Sequence, residues 1–370
     1  MQSTSSNQWT EDFTSSGSNS VYVVVTDTNG GTGTSGTLTQ TVNSDPSVSI
    51  SSSQNPTDVG KSITLTSSAS GGTGSYTYQW YLNSNAISGV TSSTYTTPDY
   101  SSSGTYDYYV SITDGAGYTV NSNTIDETVN SDPTVSASSN VSSADVNYPI
   151  EFSSSPSGGT SPYTYSWTIG GTQVSTSQDF SYSFSSAGSY TVEVTVTDSI
   201  GETYSSSVSV TINNNPSVSV SSSQNPTDVG NSVTFTASES GGTGTISYAW
   251  TVNGASEGSG STLDYSFSSS GSYTIEVTVT DSDGHVSTAS ITETVYVDPS
   301  VLISSSQNPT DVGNSVTFTA SPSGGSGSYT YQWYLNSAAV SGATYSLSDN
   351  GRADCYSAYC WWHFAHWQSI

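Results

Sequence analysis

Two sets of side chains in the 370-residue sequence have the types and spacing for chemistry. Cys355, Cys360, His363 and His366 put four ligand-bearing groups within twelve residues, the raw material of a tetrahedral metal site. Their C-x4-C-x2-H-x2-H spacing follows no structural zinc pattern, so no metal is assigned there, and a Cys355 to Cys360 disulfide would close only a small loop. Asp281, Ser282 and Asp283 offer oxygens for Ca2+, a cation that takes six to eight of them. The corresponding segments read TDTNG, TDGAG and TDSIG, however, so Asp27, Asp114, Asp198 and Asp281 are expected to shape tight turns by bonding backbone amides. His285 adjoins an Asp-Gly turn, has no serine partner at a triad spacing and is expected to be a solvent-exposed turn residue. No catalytic, cofactor-binding or metal-binding residue is assigned, and the chain is expected not to be an enzyme.

The charge balance narrows the partners. Two basic residues stand against 29 acidic ones, a formal net charge of -27, so phosphate neutralisation has nothing to work with and nucleic acid is excluded. No apolar run approaches the roughly 18 residues of a membrane span, and MQSTSSNQWTED carries neither the basic nor the apolar part of an export signal. The sole lysine, Lys61, is replaced by Asn231 and Asn314 in later copies of its segment, which rules out a repeated lysine-dependent isopeptide crosslink. Below about pH 4 the chain approaches neutrality instead of becoming strongly cationic, which predicts acid tolerance.

A repeat organises everything else. Pro46, Pro133, Pro216 and Pro299 each stand 34 residues before a tryptophan, at Trp80, Trp167, Trp250 and Trp333. The period is 87 residues for the first full copy and 83 for the next two, the extra length falling after the tryptophan, where a connection absorbs it. Within a copy, SVTFTA (232–237) and GSYTIEVTVT (271–280) alternate apolar and polar residues, the period-2 signature of strands with one dry face. NPTDVG, SGGTG and TDSDG read as the turns between them. Short strands, a copy of about 83 residues and no helical period predict an all-β fold of tandem immunoglobulin-like antiparallel β-sandwiches in an elongated array. The repeated tryptophan is expected in each core, and Tyr81, Tyr109 and Tyr334 on outer faces.

The segments GSYTVEVTVTDSIG (188–201) and GSYTIEVTVTDSDG (271–284), with YSW at 165–167, resemble the PKD (polycystic kidney disease) domain family. The resemblance covers nearly all of residues 1–349, departing where the family often follows the tryptophan with Asp and a Gly-Asp-Gly turn, here Trp80-Tyr-Leu-Asn and Trp167-Thr-Ile-Gly. It implies the PKD-like sandwich, no catalytic residues, and a location outside the cell or on its surface. It further implies a spacer role in an envelope or adhesin protein, or alternatively a carbohydrate- or protein-binding accessory module of an adhesin or secreted hydrolase.

The repeat gives these expected domains: 1–44 partial (late strands only), 45–131, 132–214 and 215–297 complete, 298–349 partial (early strands only), and 350–370 an atypical tail. Residues 5–46 align without a gap to 92–133, so the chain is expected to open partway through a repeat. The abrupt composition change over 350–370 is read as a frame-shifted or artefactual end. Neighbouring repeats are the expected partners, joined with almost no linker through TVNSDP (41–46 and 128–133), with cell-surface glycan or protein as further candidates. Complementary halves at the two ends also allow head-to-tail self-association by strand complementation, although truncation accounts for the same pattern. Asn140-Val-Ser142 is the single glycosylation sequon.

Overall fold

The computed structural model describes residues 6–340 and the backbone of the short strand Ser346–Leu347. Cys355, Cys360, His363 and His366, and with them the tail 350–370, lie outside the described residues. Strands and turns occur throughout, with no helix among the described residues and none long and apolar enough to cross a membrane. The described residues divide into two compact units, one of 6–140, 151–181 and 191–209, the other of 141–150, 182–190 and 210–340.

In the first unit, Thr57–Asp58, Ile125–Asn130, Gly104–Thr113, Thr77–Leu82 and Asn85–Ala86 form one sheet in that order, with Thr119–Asn121 also on Gly104–Thr113. Thr94–Thr96, Thr64–Ser70 and Ser47–Ser52 form the facing sheet. Alternation along Gly104–Thr113 sends Tyr108, Val110 and Ile112 inward, where they meet Ile50, Ile63, Leu65 and Trp80 in one core. Trp80 stands opposite Val110 in the ladder, is fully buried, and donates its indole Nε1–H to Ser92 O at 2.9 Å, so the buried polar atom is satisfied. Trp167 in the same unit repeats this, opposite Val194, with its Nε1–H on Ser177 O at 3.0 Å. The hairpin Thr77–Leu82 to Asn85–Ala86 closes through Asn83 and Ser84 at φ 48° and 65°, the left-handed pair that matches strand twist.

The second unit contains the same sandwich with an unbroken last strand. Its larger sheet runs Thr227–Asp228, Val286–Tyr296, Gly271–Thr280, Ser247–Val252, Ala255–Gly258, against Ser217–Ser222, Ser232–Ser240 and Thr262–Ser266. Trp250 faces Val277, is fully buried among Val233, Phe235, Phe267 and Ile275, and donates to Gly260 O at 2.9 Å. In the first sandwich the equivalent of Val286–Tyr296 is split into Thr119–Asn121 and Ile125–Asn130, in a segment one residue longer, Asp114 to Pro133 spanning 19 against 18 for Asp281 to Pro299.

The antiparallel sandwiches carry one addition, because Thr57–Asp58, Ser143–Asp145 and Thr227–Asp228 each run parallel to the end of a last strand. Two expectations change. NPTDVG is therefore not simply a turn, since its Thr-Asp pair extends beside that strand while the chain crosses from one sheet to the other. The tryptophan rule also weakens in the fourth copy, where Trp333 is half-buried and the pair Ser300–Ser305 and Phe318–Ser323 leaves Leu302 78% exposed. No described strand with the Tyr-x-Val alternation lies over that pair, so the side chains that would have filled a core face outward.

Candidate site at the carboxylate junctions

The aspartates predicted to shape turns do so. Asp27 Oδ1 accepts the amides of Asn29 and Gly31, and Asp114 Oδ1 those of Ala116 and Tyr118. Asp198 Oδ1 accepts those of Ile200 and Glu202, and Asp281 Oδ1 that of His285. The Oδ2 atoms of Asp114, Asp198 and Asp281 reach further, to the amides of Thr73, Thr160 and Thr243 in the glycine-rich loops that follow Thr64–Ser70, Pro149–Ser157 and Ser232–Ser240. This closes a turn at one end of each sandwich. The same threonine hydroxyls accept from Asn43, Asn130 and Asn213, so one Asn-Thr bond recurs three times at 2.9 to 3.1 Å.

On this frame the structure adds a residue the sequence reading missed. Asp58 is fully buried, and Thr160 donates its hydroxyl to Asp58 Oδ1 at 2.6 Å while its amide holds Asp198. Two carboxyl groups thus converge on one threonine. Burial, reinforced by the bond to Asp198, raises Asp58 to about 6. Asp198 moves down despite its own burial, because Asp58 and the amides of Thr160, Glu202 and Ile200 all bond to its charged form. The arrangement is that of one proton held by Asp58 between two acids. Beside it Lys61 pairs with Glu202, both partly exposed, and that partner raises the lysine.

The second unit repeats the junction with different neighbours. Thr243 donates to Asp145 Oδ1, its amide donates to Asp281 Oδ2 at 3.1 Å, and the amide of Asp145 donates to Asp283 Oδ2 at 2.8 Å. Burial, with Asp281 next, raises Asp145 to about 6. His285 occupies the place that Glu202 takes in the first unit, four residues past the turn aspartate. It is not the solvent-exposed turn residue expected: its side chain is 30% exposed and its Nδ1 lies 3.2 Å from Asp145 Oδ2. The edge strand Ser143–Asp145, unseen in the sequence reading, brings that carboxylate to it. Ser282 Oγ accepts the amide of Thr245 and Asp283 Oδ2 that of Asp145, so both neighbours of Asp281 are tied to backbone.

A signal for the missed residues was present. Asp58, Asp145, Asp228 and Asp311 each follow a repeat proline by 12 residues, and Thr73, Thr160 and Thr243 by 27, with Ser326 in the fourth copy. The tyrosines expected on outer faces divide into a pair and a single residue. Tyr81 and Tyr109 are cross-strand partners stacked on one another, centroids 4.5 Å apart and planes 5° apart, so each covers a face of the other. Tyr334 is 66% exposed.

The family model for the PKD domain matches residues 130–212 and 213–297. Among solved structures, three N-terminal domains of the outer capsid protein Hoc of bacteriophage RB49 are similar at 18% identity, over 68% of this chain and 99% of that one, with a TM-score of 0.41. A structure bearing on the host cell surface retention of a 1.5-MDa bacterial ice-binding adhesin is similar at 20%, over 68% and 97%, at 0.37. The I67–I69 fragment of titin is similar at 15%, over 69% and 99%, at 0.35. A comparison with curated proteins gives no match. The matched family is one of structural, non-catalytic modules. With the resemblance at 188–201 and 271–284, the family model marks residues 130–297 as two tandem PKD domains.

Proposed function

We propose that this chain is a non-catalytic spacer in the extracellular part of a cell-surface protein, an envelope component or adhesin. The observation that carries the reading is the repeated junction: an aspartate at the end of one copy's edge strand, Asp58 or Asp145, is buried against the loop threonine and turn aspartate of the next copy. Such a contact uses the closed end of each sandwich for its neighbour. The cores themselves are filled by side chains, with Trp80, Trp167 and Trp250 all inaccessible. A charge of -27 with two basic residues keeps such a surface hydrated and free of anionic partners.

Two measurements test it. Single-molecule stretching of the full chain should give successive unfolding events, each releasing roughly 290 Å of contour per 83-residue copy. Protease shaving of intact producing cells should release peptides from 45–297. Failure to shave, or saturable binding on a glycan array, would replace the spacer reading with an internal or a ligand-binding one.

A further inference from the structure

The junction in the second unit gathers a histidine with its two carboxylates. One donor atom each from Asp145, Asp281 and His285 can be chosen so that all lie within 4.8 Å of one another. Asp145 is fully buried, and its Oδ2 has no hydrogen-bond partner; neither has the buried Nδ1 of His285, 3.2 Å away. At 3.2 Å the two atoms pair with each other only when the imidazole carries a proton; with both deprotonated, two buried lone pairs face one another, an arrangement that a cation bridging them would relieve. With metal-to-ligand distances of about 2.0 to 2.2 Å, adjacent donors of a tetrahedral ion lie about 3.4 Å apart, close to the observed separation.

We propose that Asp145, Asp281 and His285 form a binding site for one divalent transition-metal ion of the Zn2+ class. The charge balances, since two carboxylates and a neutral imidazole match a dication. The amide of His285 on Asp281 Oδ1 and the hydroxyl of Thr243 on Asp145 Oδ1 orient two of the ligands from behind. Each carboxylate oxygen keeps a lone pair for the ion, and solvent supplies the fourth position. Ca2+ fits less well, because it takes six to eight oxygens, whereas this cluster offers an imidazole nitrogen and one oxygen from each of two carboxylates. The junction in the first unit has Glu202 in place of the histidine and Lys61 paired to it, which substitutes an internal cation for a bound one. An ion held by Asp145 and Asp281 joins the edge strand of one PKD domain to the turn of the next.

Titration of the full chain with Zn2+, followed by the imidazole nitrogen resonances, tests the site. His285 Nδ1 should shift with saturation at one equivalent, and His285→Ala should lose that equivalent while keeping its circular dichroism. Co2+ separates this site from the tail: cysteine ligation gives a thiolate charge-transfer band, whereas the His285-dependent equivalent should give none. An unchanged His285 resonance, equal stoichiometry in His285→Ala, or tighter binding of Ca2+ than of Zn2+ at this site would overturn the assignment.

Discussion

Ser222 Oγ donates to Oε2 of the fully buried Glu293 at 2.9 Å, and Ser52 repeats the bond with the fully buried Glu127 at 3.1 Å. The other oxygen of each carboxyl, Oε1, has no partner. The equivalent position in the intervening copy is the buried Val210, so this place in the fold is apolar.

Burial accordingly raises Glu127 to about 7 and raises Glu293 as well, each against the smaller opposing effect of its serine. A folded pKa above the unfolded one means the native state binds the extra proton. The stabilisation is complete below about pH 4.5 and is lost as pH rises through 7. We expect the thermal midpoint of the full chain to fall between pH 5 and pH 8, with Glu127 accounting for about 2 kcal/mol. Glu127→Val should flatten that dependence; a midpoint that rises with pH contradicts it.

Trp250 fills the centre of its core, whereas Trp333 is half-buried. Trp250→Ala should destabilise its sandwich by about 3 to 5 kcal/mol in urea unfolding. Trp333→Ala should leave that transition where it is.

Thr160 ties Asp58 to Asp198 by one hydroxyl and one amide. Thr160→Val keeps the volume and the amide but leaves the buried Asp58 without its donor, at a cost of about 1 to 3 kcal/mol. Lys61→Ala, which removes only an exposed ion pair, should not move the same unfolding curve measurably.

Gly158 has φ 70°, and a Cβ there would sit 2.4 Å from Asp132 O and 2.7 Å from Ser131 Oγ. Gly170, at φ 57°, faces open space. Gly158→Ala should therefore be clearly more destabilising than Gly170→Ala, for which about 1 kcal/mol of backbone strain is expected. Equal midpoints for the two variants would show that the loop at 158–160 yields without cost.

The sequence by itself determined the β-sandwich, the buried tryptophan of the first three copies and the aspartate that shapes each late turn. Each of these is local: an alternation of period two, a spacing of 34, or a side chain bonding amides two to four residues on. Even the PKD resemblance rested on contiguous segments. The tertiary structure alone decided the carboxylate junctions, because Asp58 and Thr160 are 102 residues apart and Asp145 and His285 belong to different copies. An aspartate in Pro-Thr-Asp-Val reads as a turn residue until the chain crosses between sheets and pairs it with a last strand. Burial then removes it from water, and what had been a soluble charge must find a proton, a hydroxyl or a cation.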